Sequence, residues 1–118
     1  MANFVPLNTF LSVTGSLTTT PQLLYSTTAS VSTIVLSAAI ANVSLSTQYF
    51  GMHIIKSGSN DATGRMYIVS GSGVAKGEST NPLPGKIILQ KGDGIYATAA
   101  AGSGNIHVIL SVLETAID

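Results

Sequence analysis

Cysteine is absent from the 118 residues, as is tryptophan, and ionisable side chains are scarce: five Lys and Arg, five Asp and Glu and two His, for a formal net charge of zero. The lack of cysteine excludes disulfides, thiolate metal sites and cysteine nucleophiles, and leaves the redox compartment unreadable from composition. Sparse, balanced charge excludes a phosphate-tracking surface and a polybasic membrane patch, so neither nucleic acid nor membrane is an expected partner. Long apolar runs are missing too. The most apolar stretch, from Ile34 to Val43, is broken by Ser37 and Asn42 and falls well short of the roughly 20 residues that a spanning helix needs. Met1 to Val13 contains no basic residue, and Pro6, Asn8 and Thr9 interrupt any apolar segment of a secretory signal, so the chain is expected to fold in the cytoplasm where it is made.

What is present points the other way from disorder. Charged residues make up 8% of the chain, against about 25% in an ordinary soluble domain, while hydrophobic residues make up 45% and the mean hydropathy is +0.44. Disordered chains pair low hydrophobicity with high charge, so this one is expected to fold. A domain of this length buries roughly 65% of its extended-chain surface and needs no staple. A monomer with so little charge lacks colloidal protection, and interface cores are depleted in charge; much of the surface is therefore expected to be covered by copies of the chain or by a larger assembly. All of the Asp, Glu, Lys and Arg residues lie between Lys56 and Asp118. The amino-terminal half is thus the half expected to meet protein.

No 3.6-residue stripe runs through the chain. Segments rich in β-formers alternate with Gly, Asn, Ser and Pro, the pattern of an antiparallel β-sandwich or jelly-roll-like barrel of about seven to eight strands. The segments are Leu23–Thr27, Ser32–Asn42, Leu45–Lys56, Arg65–Ser70, Lys86–Gln90, Ile95–Ala100 and Ile106–Glu114. Gly92, Asp93 and Gly94 form a turn between the fifth and sixth of these, with glycine supplying positive φ and Asp bonding nearby backbone. Together with the Gly102 to Asn105 connection, this predicts that the last three strands form a meander. In the last strand Ile106, Val108, Leu110 and Val112 share one face, and His107, Ile109, Ser111 and Leu113 the other. In Leu45–Lys56 the set Phe50, Met52 and Ile54 opposes Tyr49, Gly51, His53 and Ile55. The stretch from Gly71 to Gly85 reads as a long exposed loop, its prolines arguing against a central strand. Residues 1–22 are either a first strand of the sandwich or an arm that docks Phe4, Val5, Leu7, Phe10, Leu11 and Val13 on a neighbouring subunit; residues 23–118 form the single domain.

Catalysis needs polar residues that converge, and few are available. His53 and His107 could share a metal with Asp61, Asp93 or Glu114, but lone strand histidines are more often hydrogen-bonding surface or interface residues. The segment from Gly71 to Gly77 has glycines and Lys76 but lacks the phosphate-loop spacing. Gly71-Ser72-Gly73 and Gly102-Ser103-Gly104 are too short for a nucleophile elbow. Neither Asp61 nor Asp93 sits in a loop of alternating acidic ligands, and the few carboxylates are too scattered for glycoside cleavage. No enzyme activity, cofactor or metal is expected. Asn42-Val43-Ser44 matches the glycosylation sequon, read as chance in a Ser-rich chain. The aromatics Phe4, Phe10, Tyr25, Tyr49, Phe50, Tyr67 and Tyr96 form either a sugar-stacking platform or core and interface filling, which their apolar alternation favours; Tyr67 and Tyr96 stand out because a buried hydroxyl needs a partner.

The run from Leu89 through Gln90, Lys91, Gly92, Asp93, Gly94, Ile95, Tyr96, Ala97, Thr98 and Ala99, leading into Ile106 to Glu114, resembles the carboxyl-terminal meander of small β-sandwich virion proteins of tailed bacteriophages. The run Thr33 to Ser44 is similar to their central strands, and the resemblance spans about Leu23 to Glu114. It implies a non-enzymatic virion structural protein, made in the host bacterial cytoplasm. The favoured form is a capsid decoration or cement protein, a homo-oligomer with the trimer favoured, clamping the major capsid protein or other virion proteins. The alternative is a tail, baseplate or fibre module, whose loops at residues 57–64 and 71–85 would touch host-surface glycan. In either, Asp93 is read as a turn former and Glu114 as a strand-end residue.

Overall fold

A computed structural model describes residues 8–28, 31–59, 64–102 and 104–116. Among the described residues nine strands are formed: β1 (Asn8–Ser16), β2 (Gln22–Ser26), β3 (Val31–Asn42), β4 (Gln48–Ile55), β5 (Arg65–Val74), β6 (Ser79–Thr80), β7 (Ile87–Leu89), β8 (Gly94–Ala99) and β9 (Ile106–Ala116). They build two antiparallel sheets. The five-stranded sheet runs β1, β9, β3, β6, with β7 also pairing β3, and the four-stranded sheet runs β2, β8, β4, β5. Every connection except that between β4 and β5, and the short step from β6 to β7, crosses between the sheets, which is the jelly-roll arrangement of two interleaved Greek keys. Among the described residues there is no helix long and apolar enough to cross a membrane.

Period-2 alternation places one face of each strand between the sheets. From the five-stranded sheet come Val35, Ala38, Ile40, Leu89, Ile106, Val108, Leu110 and Val112; the four-stranded sheet supplies Phe50, Met52, Ile95, Ala97 and Ala99, and Leu17 closes one end. In β3 the alternation changes parity midway. Val35 pairs with Val112 and Ser37 with Ser111, so Leu36 is the extra residue of a bulge, and the inward set passes from Thr33 and Val35 to Ala38, Ile40 and Asn42.

Two sequence expectations change. The last three strands are not a meander: β7 pairs β3, β8 pairs β2 and β4, and β9 pairs β1 and β3. Turn residues reverse the chain, but a reversal that carries it across to the opposite sheet needs the same residues as a hairpin. Strand β5 continues through Gly71 to Val74 and β6 follows at Ser79, so the stretch from 71 to 85 is not one loop. Its glycines are accommodated by bulges in an edge strand, where Phe50 faces Ser72 but Met52 faces Val69. At the amino end, residues 8–16 pair along their whole length with β9, and Phe4, Val5 and Leu7 lie outside the described residues.

Candidate functional site

The residues that sequence reading nominated for chemistry do not converge. His53 lies on the outer side of the four-stranded sheet and His107 on the outer side of the five-stranded sheet, with the core between them. Asp61 lies outside the described residues. Among the described residues no group of three or more His, Asp or Glu is placed to hold a metal ion. Asn42 is buried, and its Nδ2 donates to the carbonyls of Ser46 (2.7 Å) and Val74 (2.8 Å). The sequon nitrogen is therefore occupied inside the fold.

Asp93 and Glu114 instead clamp the sandwich. The Asp93 carboxylate is 1% exposed, and it accepts from the Ser57 amide (2.9 Å), the Gln90 amide (2.8 Å) and Lys56 Nζ (2.5 Å). The Asp93 carbonyl accepts from Thr27 N (3.0 Å), and Gly92 N donates to the Thr27 carbonyl (2.9 Å). The loops after β2, β4 and β7 are thereby tied together next to the point where β2 and β4 both pair with Gly94. Burial on its own would raise the Asp93 carboxyl; the bonds from Lys56, Gln90 and Ser57 and the Lys56 charge outweigh it and hold the group below its ordinary range. Gly92 takes φ 85°, and a Cβ there would lie 2.5 Å from Ser57 Oγ, so glycine is required on both counts. Gly94 already belongs to β8. Across the sandwich, the Tyr25 hydroxyl on β2 donates to Glu114 Oε2 on β9 and bonds Thr33 Oγ1 on β3 at 2.9 Å. Burial first, then the bond to Glu114 and its charge, push the Tyr25 phenol up.

The outer face of the five-stranded sheet is the first candidate surface. Phe10 and Ile34 both pair with Leu113, and Ile34 pairs in turn with Ile88, so four apolar side chains lie in one line across four strands. The next lines are Ser12, Ser111 and Ser37, then Thr14, Ile109 and Ala39, then Ser16, His107, Ala41 and Ser79. No Asp, Glu, Lys or Arg stands in any of them. Phe10 is 72% exposed and Ile88 64%. Of the nominated interface residues, Phe10 belongs to this face, whereas Leu11 and Val13 pair with Val112 and Leu110; Val13 packs against the core and Leu11 stays 38% exposed. Ile34, Ile88, Ile109 and Leu113 were missed, since only the pairing of distant strands brings them into register.

The four-stranded sheet presents a different outer face. Leu23, Tyr96, His53 and Tyr67 form a line across it. The His53 ring stacks on Tyr96, with centroids 5.2 Å apart and 3° between planes, and meets Tyr67 at 5.4 Å and 59°. These rings bury His53, although it points away from the core. Beside the line, Gly51 pairs with Thr98 and faces the β5 bulge, where Gly71 takes φ 71°. Here the surface dips into a hollow of about 190 Å³ bounded by Gly51, His53, Tyr67, Ser70, Gly71 and Thr98, with Arg65 at its side. Arg65 Nη1 donates to the Tyr67 hydroxyl at 3.4 Å.

The chain matches no protein-family model and no curated protein sequence. Among solved structures, it is similar to a protein of the Bacillus endospore appendages, described as a family of disulfide-linked pili, with TM-score 0.54 and 14% identity over 94% of this chain and 88% of that one. Weaker similarity extends to proteins of infectious bursal disease virus: TM-score 0.43 and 6% identity for the Gt strain over 96% of this chain and 38% of that one, and 0.42 and 9% for the Gx strain over 95% and 36%. At such identity the first of these shows a shared β-sandwich fold. Lacking cysteine, these 118 residues cannot make the disulfide link named for the pili.

Proposed function

We propose that the chain is a non-enzymatic structural protein that works by packing against copies of itself and against a larger protein assembly, and that its place is the head of a tailed bacteriophage, as a trimeric decoration protein. The observation that carries this reading is the outer face of the five-stranded sheet, where Phe10, Leu113, Ile34 and Ile88 line up on a surface without Asp, Glu, Lys or Arg. An isolated soluble domain gains nothing from presenting such a face to water, and interface cores are depleted in charge in this way. Because the attraction is apolar, it should depend little on ionic strength. Sedimentation of the purified chain between about 0.05 and 1 M salt tests it: a salt-insensitive oligomer supports the reading, and a monomer at high concentration overturns it. Labelled antibody on intact particles tests the location. Signal over the whole head supports decoration; signal at one end moves the protein to the tail or baseplate.

A filament subunit is the second reading, favoured by the fold shared with an endospore appendage protein over most of both chains. Electron micrographs of the purified chain separate the two, since a filament subunit gives open fibres and a decoration protein closed oligomers.

A further inference from the structure

Gly51 is not held as glycine by its backbone angle. It sits in the middle of β4, and the glycines at positive φ are Gly58, Gly71, Gly77, Gly92, Gly102 and Gly104. A Cβ at Gly51 would meet only β5 backbone, the Val69 carbonyl oxygen at 3.4 Å, Ser70 Cα at 3.9 Å and Gly71 N at 4.0 Å, where the β4–β5 register shifts. Two other glycines on the same sheet are different. A Cβ at Gly94 would lie 3.0 Å from Leu23 Cδ1 and 3.1 Å from Tyr96 Cε1, and one at Gly73 would lie 3.0 Å from Tyr49 Cε1, so an aromatic ring occupies the space that each leaves. Over Gly51 no side chain fills the gap. Glycine within a strand costs conformational entropy and removes a packing contact, and it marks a bulge or a place where another backbone or a ligand approaches closely; at Gly51 the β5 bulge stands beside an open hollow.

We propose that the hollow over Gly51 binds a single neutral sugar ring, such as the terminal residue of a glycan. Its volume of about 190 Å³ equals that of about six waters, enough for one pyranose and not for a longer unit. Tyr67, 54% exposed, offers an aromatic surface to the C–H groups of a sugar, and Thr98 and Ser70 bring hydroxyls that both donate and accept. Among the described residues no carboxylate lines the hollow and Arg65 does, which disfavours a cation and leaves a further donor for a sugar hydroxyl. The β5 bulge at Gly71 draws the edge strand aside and keeps the rim open. Recognition is thereby placed on the sheet face rather than on the loops, on the opposite side of the sandwich from the face assigned to assembly. It holds whether or not that face self-associates.

Amide chemical shifts of the full chain, recorded while methyl glycosides of neutral hexoses and N-acetylhexosamines are titrated in, test the site. At least one sugar should give saturating shifts centred on Gly51, Gly71 and Thr98, with a dissociation constant of about a millimolar, as expected for so small a ligand. Gly51→Val, a β-branched residue suited to a strand, should abolish these shifts, and Tyr67→Ala on the exposed edge strand should weaken binding by about tenfold or more. Should Gly51→Val fail to fold, Tyr67→Ala decides alone. Absence of shifts with every sugar, or shifts that persist in the folded variants, would overturn the proposal.

Discussion

The two outer faces of the sandwich solve the problem of low charge differently. On the five-stranded sheet the apolar line of Phe10, Leu113, Ile34 and Ile88 stands open, with Phe10 and Ile88 largely exposed. On the four-stranded sheet only the centre of the corresponding line is covered, since Tyr96 and Tyr67 reduce His53 to 1% exposure while Leu23 and Tyr67 themselves stay about half exposed. The first face is the one proposed to be covered by a partner. The second is covered at its centre and carries a hollow over Gly51. A flat, neutral surface suits protein packing, whereas a hollow with an aromatic side suits a small ligand, which is why assembly is proposed for the first face and recognition for the second.

Reversing the chemistry of one face at a time is the most severe way to break that division. Leu113→Glu places a charge at the centre of the open line and should weaken self-association by at least about 100-fold, or about 3 kcal/mol, as hot-spot losses do. Tyr67→Glu, on the opposite sheet, should leave the sedimentation pattern unchanged. If the second variant dissociates the oligomer and the first does not, the faces have been given the wrong roles.

Both faces depend on loops and clasps that fix one sheet against the other. Asp93→Asn leaves an amide N–H facing the Ser57 or Gln90 N–H and removes the partner of Lys56; it should cost about 2–3 kcal/mol in denaturant unfolding. The dependence on pH follows from the depressed Asp93 carboxyl. Above the unfolded-state value, about 3.9, its contribution is fully present, and it is lost as pH falls through the lower folded-state value. The difference between wild type and Asp93→Asn should therefore be flat at neutral pH and shrink only below about pH 4. A gap that closes near pH 6 would mean that Asp93 is not the group responsible.

Tyr25 makes the corresponding clasp between β2 and the five-stranded sheet, and Tyr25→Phe should cost about 1 kcal/mol through the lost bonds to Glu114 and Thr33. Its phenol is raised in the folded state, so its stabilisation is present below the unfolded-state value of about 10 and is lost as pH rises through the folded one. Alkaline unfolding followed by tyrosine absorbance should show wild type losing this advantage over Tyr25→Phe only at the basic end. An equal response of the two proteins would remove the clasp from the account.

Much of the sandwich is legible in the sequence because its strands alternate cleanly: Ile106, Val108, Leu110 and Val112 are core, and Phe50 and Met52 oppose His53. Pairing is less legible. The Gly92 and Asp93 turn signals a reversal but not its destination, which is set by bonds from Asp93 to Ser57 and Thr27 in loops remote in sequence. Alternation through β3 also fails at Leu36, where one bulged residue exchanges inside for outside. The open face shares this dependence on register, since Phe10, Ile34, Ile88 and Leu113 come from four separate strands. Gly51 is the exception. A glycine within an alternating strand is itself a signal, and it is readable before any pairing is known.

The smallest predicted effect is also the sharpest on that glycine. Gly94→Ala must push its methyl group into Leu23 and Tyr96, at 3.0 and 3.1 Å, and should destabilise by about 1 kcal/mol as overpacking does. Gly51→Ala meets only an ordinary 3.4 Å contact and restricts the unfolded chain, so it should stabilise by about 0.5 kcal/mol. Thermal unfolding of the two variants side by side measures the difference in sign. Strand glycines retained for folding lose stability when filled, whereas one retained for a ligand gains it. A loss at Gly51 as large as that at Gly94 would show that the backbone needs this glycine after all, and the hollow above it would then be a by-product of the fold.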